Sequence, residues 1–164
     1  MLKPEVQKLL NDQINAEFYS SYLYLSMAAQ FEADGFPGIA HWLKVQANEE
    51  REHGEKFFNY LLERGAKPVL AAIAAPPKDW ASAAAAFKNV VDHERIITGL
   101  INAIMAQARK QDDFATENFV QWFVKEQVEE EAQAELLSQR FTAVGENKGA
   151  LYMLDHQLGK RAAD

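Results

Sequence analysis

Apolar residues recur at steps of three and four along almost the whole chain, and no stretch alternates with a period of two. That spacing lays one apolar stripe along each of several helices. The first, about 5–33, runs through Leu10, Ile14, Glu17, Ser21, Tyr24, Ala28 and Phe31. Gly35-Phe36-Pro37-Gly38 breaks it. A second helix, about 38–64, follows through Ile39, Leu43, Gln46, Glu50, His53, Phe57 and Tyr60, with Gly65 as its C-terminal cap. The third, about 82–110, uses Ala83, Phe87, Val90, Glu94, Ile97, Ile101, Ile104 and Ala108. The fourth, about 113–143, uses Phe119 or Val120, Phe123, Gln127, Glu130, Ala134, Leu137 and Phe141. Asp112 and Asp113 stand at its start, where the helix dipole favours acids. Beyond Gly145 a short amphipathic helix, about 149–159, carries Leu151, Leu154 and Leu158. The tail Arg161–Asp164 reads as loose.

Between the second and third helices, residues 65–81 hold Gly65, Pro68, Pro76 and Pro77. They read as an extended connection, with one helical turn around Leu70–Ile73. A helix of ~27 residues is ~40 Å long, and an extended run of about seventeen residues reaches ~56–61 Å. The connection can therefore span the bundle and re-enter at its far end, which makes the second and third helices parallel. The fold class is all-α: a four-helix bundle with one long crossover and a short fifth helix, in a single domain over 1–164. Residues 71–75 and 83–86 are rich in Ala and touch no expected ligand.

Composition narrows the chemistry. The 164 residues are 48% hydrophobic and 25% charged, ordinary for a folded soluble domain. There is no Cys, which excludes disulfides, zinc–thiolate sites, iron–sulfur clusters and thiol catalysis, so any metal is held by His or carboxylate. No apolar run approaches the ~18 residues of a membrane span. The N-terminal residues lack a signal-peptide core, so the expected location is the cytoplasm. The net charge is −7, and it is concentrated: residues 112–135 hold eight acids and a single base, Lys125. A nucleic-acid binder needs the opposite sign. A cation handler suits this one, as does a solvated helix face.

All four long seams turn polar near their middles, at Glu17, at Glu50 with His53, at Glu94, and at Gln127 with Glu130. A buried charge costs several kcal/mol unless it is paired or binds metal. The spacing repeats. Glu17 precedes Glu50 by 33 residues and His53 by 36, and Glu94 precedes Gln127 and Glu130 by the same intervals. Each half thus contributes one carboxylate and then an i, i+3 pair sharing a helix face. That is the di-iron carboxylate plan of a bundle core, with the second Glu-x-x-His degenerate. Glu17, Glu50, Glu94 and Glu130 carry four negative charges, which two divalent cations neutralise, and Glu50 is central enough to bridge them. Carboxylates with one imidazole suit iron or manganese. Tyr24 lies two turns from Glu17, within reach of a ligand. A buried polar network or an interhelical salt bridge is the alternative, and the repeated spacing weighs against it.

Three runs carry a resemblance: Glu17-Phe18-Tyr19-Ser20-Ser21-Tyr22-Leu23-Tyr24, Asn48-Glu49-Glu50-Arg51-Glu52-His53 and Trp122-Phe123-Val124-Lys125-Glu126-Gln127-Val128-Glu129-Glu130. With them the chain, from Leu2 to about Gly159, resembles the non-haem bacterial ferritins. The resemblance implies a homo-oligomeric, 24-subunit cage that stores iron. Its ferroxidase centre would oxidise Fe(II) with dioxygen or hydrogen peroxide and deposit ferric mineral inside. It implies one iron site from Glu17, Glu50 and His53 and a second from Glu50, Glu94 and Glu130, with Gln127 beside the pair. It also implies a third iron site at Glu49, Glu126, Glu129 and Glu130. Haem-containing relatives carry Met after the bridging Glu and a second intact Glu-x-x-His. Here those positions are Arg51 and Gln127/Glu130, so no haem is expected. Partners are the other copies of the chain, with no nucleic acid and no membrane.

Two other functions compete. A di-iron enzyme acting on an organic substrate needs an apolar pocket beside the metals, which Phe18, Trp122 and Phe123 could line; it leaves the fifth helix and the third-site acids without a role. A non-catalytic cage or metal buffer would lack second-site ligands, and Glu94 and Glu130 argue against that.

Overall fold

The computed structural model describes residues 2–162. Among them are five helices and no strand: α1 Pro4–Ala33, α2 Pro37–Glu63, α3 Ala83–Lys110, α4 Phe114–Val144 and α5 Lys148–Leu158. Each start has a local cause. α1 and α2 open on Pro, whose missing N–H would have had no helical partner there. The Ser82, Asp113 and Asn147 side chains cap α3, α4 and α5 by accepting the backbone N–H of Ala85, Thr116 and Ala150. Asp113 is therefore the cap of α4 rather than its first residue. α2 ends where Gly65 takes φ +73°, a conformation that costs glycine little.

The connection from α2 to α3 has no regular secondary structure over 66–80, and the turn expected around Leu70–Ile73 does not form. Its backbone groups bond to α1 side chains instead of to each other. Val69 N–H donates to Asn11 Oδ1 (2.7 Å), Asn15 Nδ2 to the Ala72 carbonyl (3.1 Å), and Ser26 Oγ to the Pro77 carbonyl (2.7 Å). Trp80 N–H donates to Gln30 Oε1 at 2.8 Å, and Gln30 Nε2 donates back to the Trp80 carbonyl at 2.9 Å. The connection thus climbs α1 from Asn11 to Gln30. It delivers α3 antiparallel to α1 and hence parallel to α2. No helix among the described residues is long and apolar enough to cross a membrane.

The apolar interior is in two parts. One is built from Leu23–Phe31, Ile39–Ala47, Ala86–Val91 and Ala134–Phe141, closed by Leu154 and Leu158 of α5. The other is built from Leu2–Ile14, Phe57–Leu61, Ile97–Ile104, Val120 and Phe123. Val120 is the buried seam residue; Phe119 is half-buried and stacks on Tyr60 with centroids 3.8 Å apart. The polar residues of the four seams lie between these two cores.

α5 docks on the start of α2. Asp155 Oδ1 accepts the Ile39 N–H at 2.8 Å, satisfying a helix N-terminal donor from another element. The approach is close enough that a Cβ on Gly38 would lie 1.8 Å from the Asp155 carbonyl oxygen. The tail does not read as loose at Arg161. Its side chain is tied down on α2, as described below, while Ala163 and Asp164 lie outside the described residues.

Candidate metal centre

The two cores leave a polar layer to which α1, α2, α3 and α4 all contribute. Glu17, Glu50, His53, Glu94 and Gln127 are buried, as is Tyr24, and Glu130 is half-buried. Among the described residues three groups of three could each hold a metal ion, with ligand atoms within 4.8 Å of one another: Glu17, Glu50 and His53; Glu50, Glu94 and Glu130; and His53, Glu126 and Glu130. Glu50 belongs to the first two. His53 Nδ1 lies 3.4 Å from Glu50 Oε2, as the i, i+3 spacing on one helix face requires.

Neutral donors hold the carboxylates in place. Gln13 Nε2 donates to Glu17 Oε1 (2.8 Å). Gln46 Nε2 donates to Glu50 Oε1 (2.8 Å) and to Glu130 Oε1 (3.2 Å), joining α2 to α4. The Tyr24 hydroxyl donates to Glu94 Oε1, and Gln127 Nε2 donates to Glu94 Oε2 (3.2 Å) and to Thr98 Oγ1 (3.2 Å). Two buried carboxylate oxygens, Glu17 Oε2 and Glu130 Oε2, have no hydrogen-bond partner among the described residues. An orphaned buried acceptor is costly, and a cation beside it removes that cost.

Burial first, then mutual repulsion among the carboxylates, lifts Glu17 and Glu130 well above the usual carboxylate range. Burial and the nearby Glu94 do the same to Glu50. Burial also raises Glu94, against the hydrogen bonds from Tyr24 and Gln127. Burial lowers His53, which favours the neutral imidazole that binds metal. Burial raises Tyr24 well above its usual value, so the phenol keeps the proton it donates. Cationic charge in this layer would reverse the balance and let the four carboxylates ionise.

Glu49, Glu126, Glu129 and Glu130 line one pocket of about 160 Å³ beside the polar layer, together with Gln46, Gln133 and Arg161. Glu126 and Glu130 come within ligand reach of His53. Glu49 is taken up by an ion pair with Arg161, and the exposed Glu129 lies 4.0 Å from Lys125. A separate mouth of about 320 Å³ opens from His53 to the surface past Glu49, Glu52, Lys56, Trp122 and Glu126.

Sequence reasoning placed Gln46 on a seam without a role and missed Gln13. The available signal was a repeated Gln-x-x-x-Glu: Gln13 with Glu17 and Gln46 with Glu50, each pair sharing a helix face. Arg161 had no such signal.

Fold and polar layer together define a carboxylate-lined four-helix bundle with a short fifth helix. A model of the ferritin-like domain matches residues 7–144, and the chain belongs to the ferritin family. Over 159 residues it is 41% identical to the "Probable bacterial non-heme ferritin-like protein" of Haemophilus influenzae, covering 97% of this chain and 96% of that one. It is 37% identical to the bacterial non-heme ferritin of Staphylococcus aureus, covering 100% of this chain and 99% of the other. Among solved structures, the open-pore ferritin of the hyperthermophilic archaeon Archaeoglobus fulgidus superposes with a TM-score of 0.97 at 44% identity, over 99% of this chain and 100% of that one.

Proposed function

We propose that this chain stores iron in a 24-subunit cage and oxidises Fe(II) at a dinuclear centre before deposition. The observation that carries the reading is Glu50's membership of two adjacent ligand groups, one completed by Glu17 and His53 and the other by Glu94 and Glu130. The orphaned oxygens of Glu17 and Glu130 fit cationic occupants. Two Fe(II) bound side by side each give up one electron. Dioxygen takes the pair with two protons and leaves as hydrogen peroxide, or hydrogen peroxide takes them with two protons and leaves as two waters. The chain's own part is to gather the ions, to keep Glu94 oriented through Tyr24 and Gln127, and to give up the carboxyl protons as the ions bind. Gln127, though no ligand, sits where it steadies the second group. Ferric product passes to the pocket of Glu49, Glu126, Glu129 and Glu130, read as a third iron site.

The mouth beside His53 is lined by Asn48, Glu49, Arg51, Glu52, Lys56 and Glu126, with Val45 and Trp122 its apolar members. Such a lining admits ions in preference to an apolar organic substrate, which disfavours a di-iron oxygenase. Two measurements test the proposal. Twenty-four copies of an 18.5 kDa chain sediment as a particle of about 444 kDa, and a dimer would defeat the cage. Fe(II) added under air gives a fast ferric absorbance rise that Glu50→Ala abolishes; an unchanged rise would defeat the dinuclear centre.

A further inference from the structure

Arg161 follows the last turn of α5 and doubles back over α2. The Arg161 carbonyl accepts from His41 Nε2 at 2.8 Å, and its guanidinium lies over the Trp42 ring, 4.7 Å from the centroid. One end of the guanidinium, Nη1, donates to Gln46 Oε1 at 3.0 Å, while the other, Nη2, donates to Glu49 Oε2 and forms an ion pair with it. Trp42, Gln46 and Glu49 are spaced four and three apart, so they form one stripe of α2, and the planar fork lies along it. The Arg161 side chain is only 18% exposed.

The pocket it enters is that of Glu49, Glu126, Glu129 and Glu130, and among the described residues that line it Arg161 is the one cationic side chain. Four carboxylates around a small pocket repel one another, and a cation there relieves them. Arg161 also faces the metal layer indirectly. Gln46 accepts from Arg161 through its oxygen and therefore presents its nitrogen to Glu50 and Glu130.

We propose that Arg161 is a tethered cation that occupies the outer carboxylate pocket and must be displaced from Glu49 before a third divalent cation binds there. This rests on reading that pocket as a metal site. The tail then sets the affinity of the third position directly through Glu49, and reaches the first two only through Gln46. A metal ion and a guanidinium cannot share Glu49 Oε2 at bonding distance, so filling the pocket swings Arg161 off α2. Lysine would supply the charge without the fork, and so would compete less well.

The test is calorimetric titration of the assembled protein with Zn(II), which is redox-inert, comparing wild type with Arg161→Ala, Arg161→Lys and the pair Arg161→Ala/Glu126→Ala. Circular dichroism and sedimentation verify that each variant is folded and assembled; Arg161→Gln, which retains a hydrogen-bond donor toward Gln46, serves if Arg161→Ala is not. The expected result is a third binding event about tenfold tighter in Arg161→Ala than in wild type. It should be intermediate in Arg161→Lys and absent once Glu126 is also removed. A third event of equal affinity with and without Arg161 overturns the tethered cation and leaves the third site standing. No third event in any variant overturns both, while the first two events still report the dinuclear centre.

Discussion

The Tyr24 hydroxyl of α1 reaches across the bundle and donates to Glu94 Oε1 of α3, with both side chains buried. It is a direct polar tie between the first and second halves of the chain, made at the level where both halves contribute carboxylates. The phenol stays protonated at neutral pH because burial raises it, so the donor does not switch off in the working range. Tyr24→Phe would leave Glu94 Oε1 without this donor at a cost of about 1–3 kcal/mol. We expect a folded protein with a lower melting temperature, weaker metal binding at the Glu50, Glu94, Glu130 group and slower oxidation. A variant with unchanged Zn(II) affinity at both positions would count against the positioning role.

Glu50 is one of the carboxylates whose burial the metal-free state does not offset. It is held above the usual carboxylate range by burial and by Glu94, so its ionisation opposes folding when no metal is present. The sign follows from linkage. A carboxyl raised in the native state contributes stability that is full below about 4.5, its ordinary value, and is lost as pH rises through the raised one. Buried His53 and His93, the latter lowered to about 4 by burial, act oppositely and lose stability as pH falls. Comparing wild type with Glu50→Gln isolates the carboxylate. The metal-free variant should melt at or above wild type, and the gap should widen as pH rises from about 5 to about 8. Rapid oxidation should fall by about two orders of magnitude, since even outer partners of metal ligands are worth ~10–100-fold. A gap that narrowed with rising pH would refute the raised carboxyl.

How much of this could be read along the chain depends on whether the signal was periodic. Glu17, Glu50, His53, Glu94, Gln127 and Glu130 stand on helical seams that are otherwise apolar, and helical geometry alone brings each pair to one face. The helix ends came within a residue because Pro37, Ser82, Asp113 and Gly65 have local effects. The turn expected at Leu70–Ile73 failed for a tertiary reason: Asn11, Asn15 and Ser26 of α1 take the backbone groups a helical turn would have used. Arg161 was illegible for the same kind of reason. Its partners Gln46 and Glu49 lie more than a hundred residues away, and nothing periodic links them.

Gly38 is where α5 comes closest to the rest of the bundle. A methyl group there would collide with the Asp155 carbonyl at 1.8 Å, a backbone atom that moves only with its helix. Gly38→Ala should push α5 away, break the 2.8 Å hydrogen bond from Ile39 N–H to Asp155 and cost about 1–3 kcal/mol. An 11-residue helix does not stand alone. In the proposed cage the exposed Tyr152 and Met153 of α5 are available to a neighbouring copy, so its displacement should weaken assembly while sparing most of the helical circular dichroism. Truncation after Gly149 should do the same more severely. Cages of wild-type stability at low protein concentration would argue that α5 has no part in assembly.

The two ligand groups should fill in order, the one with His53 first. That group offers two carboxylates and a neutral imidazole, while each group has one carboxylate oxygen, Glu17 Oε2 or Glu130 Oε2, with no hydrogen bond among the described residues. A nitrogen donor strengthens binding of late first-row metals without adding negative charge. In the other group both oxygens of Glu94 already accept hydrogen bonds, from Tyr24 and Gln127, and Glu130 Oε1 accepts one from Gln46. Each of those oxygens keeps a lone pair for metal, but the bonds fix its direction, so an entering ion has less freedom to choose its geometry. A second ion also enters beside one already bound and is repelled by it. Zn(II) should follow the same order and inhibit oxidation at about one equivalent per chain. Crystals soaked in graded Fe(II) or Zn(II), with occupancies refined from anomalous scattering, decide the matter. Should the position between Glu94 and Glu130 fill ahead of the one at His53, the hydrogen-bonded Gln127 and Gln46 would be organising that site more strongly than the imidazole organises its neighbour.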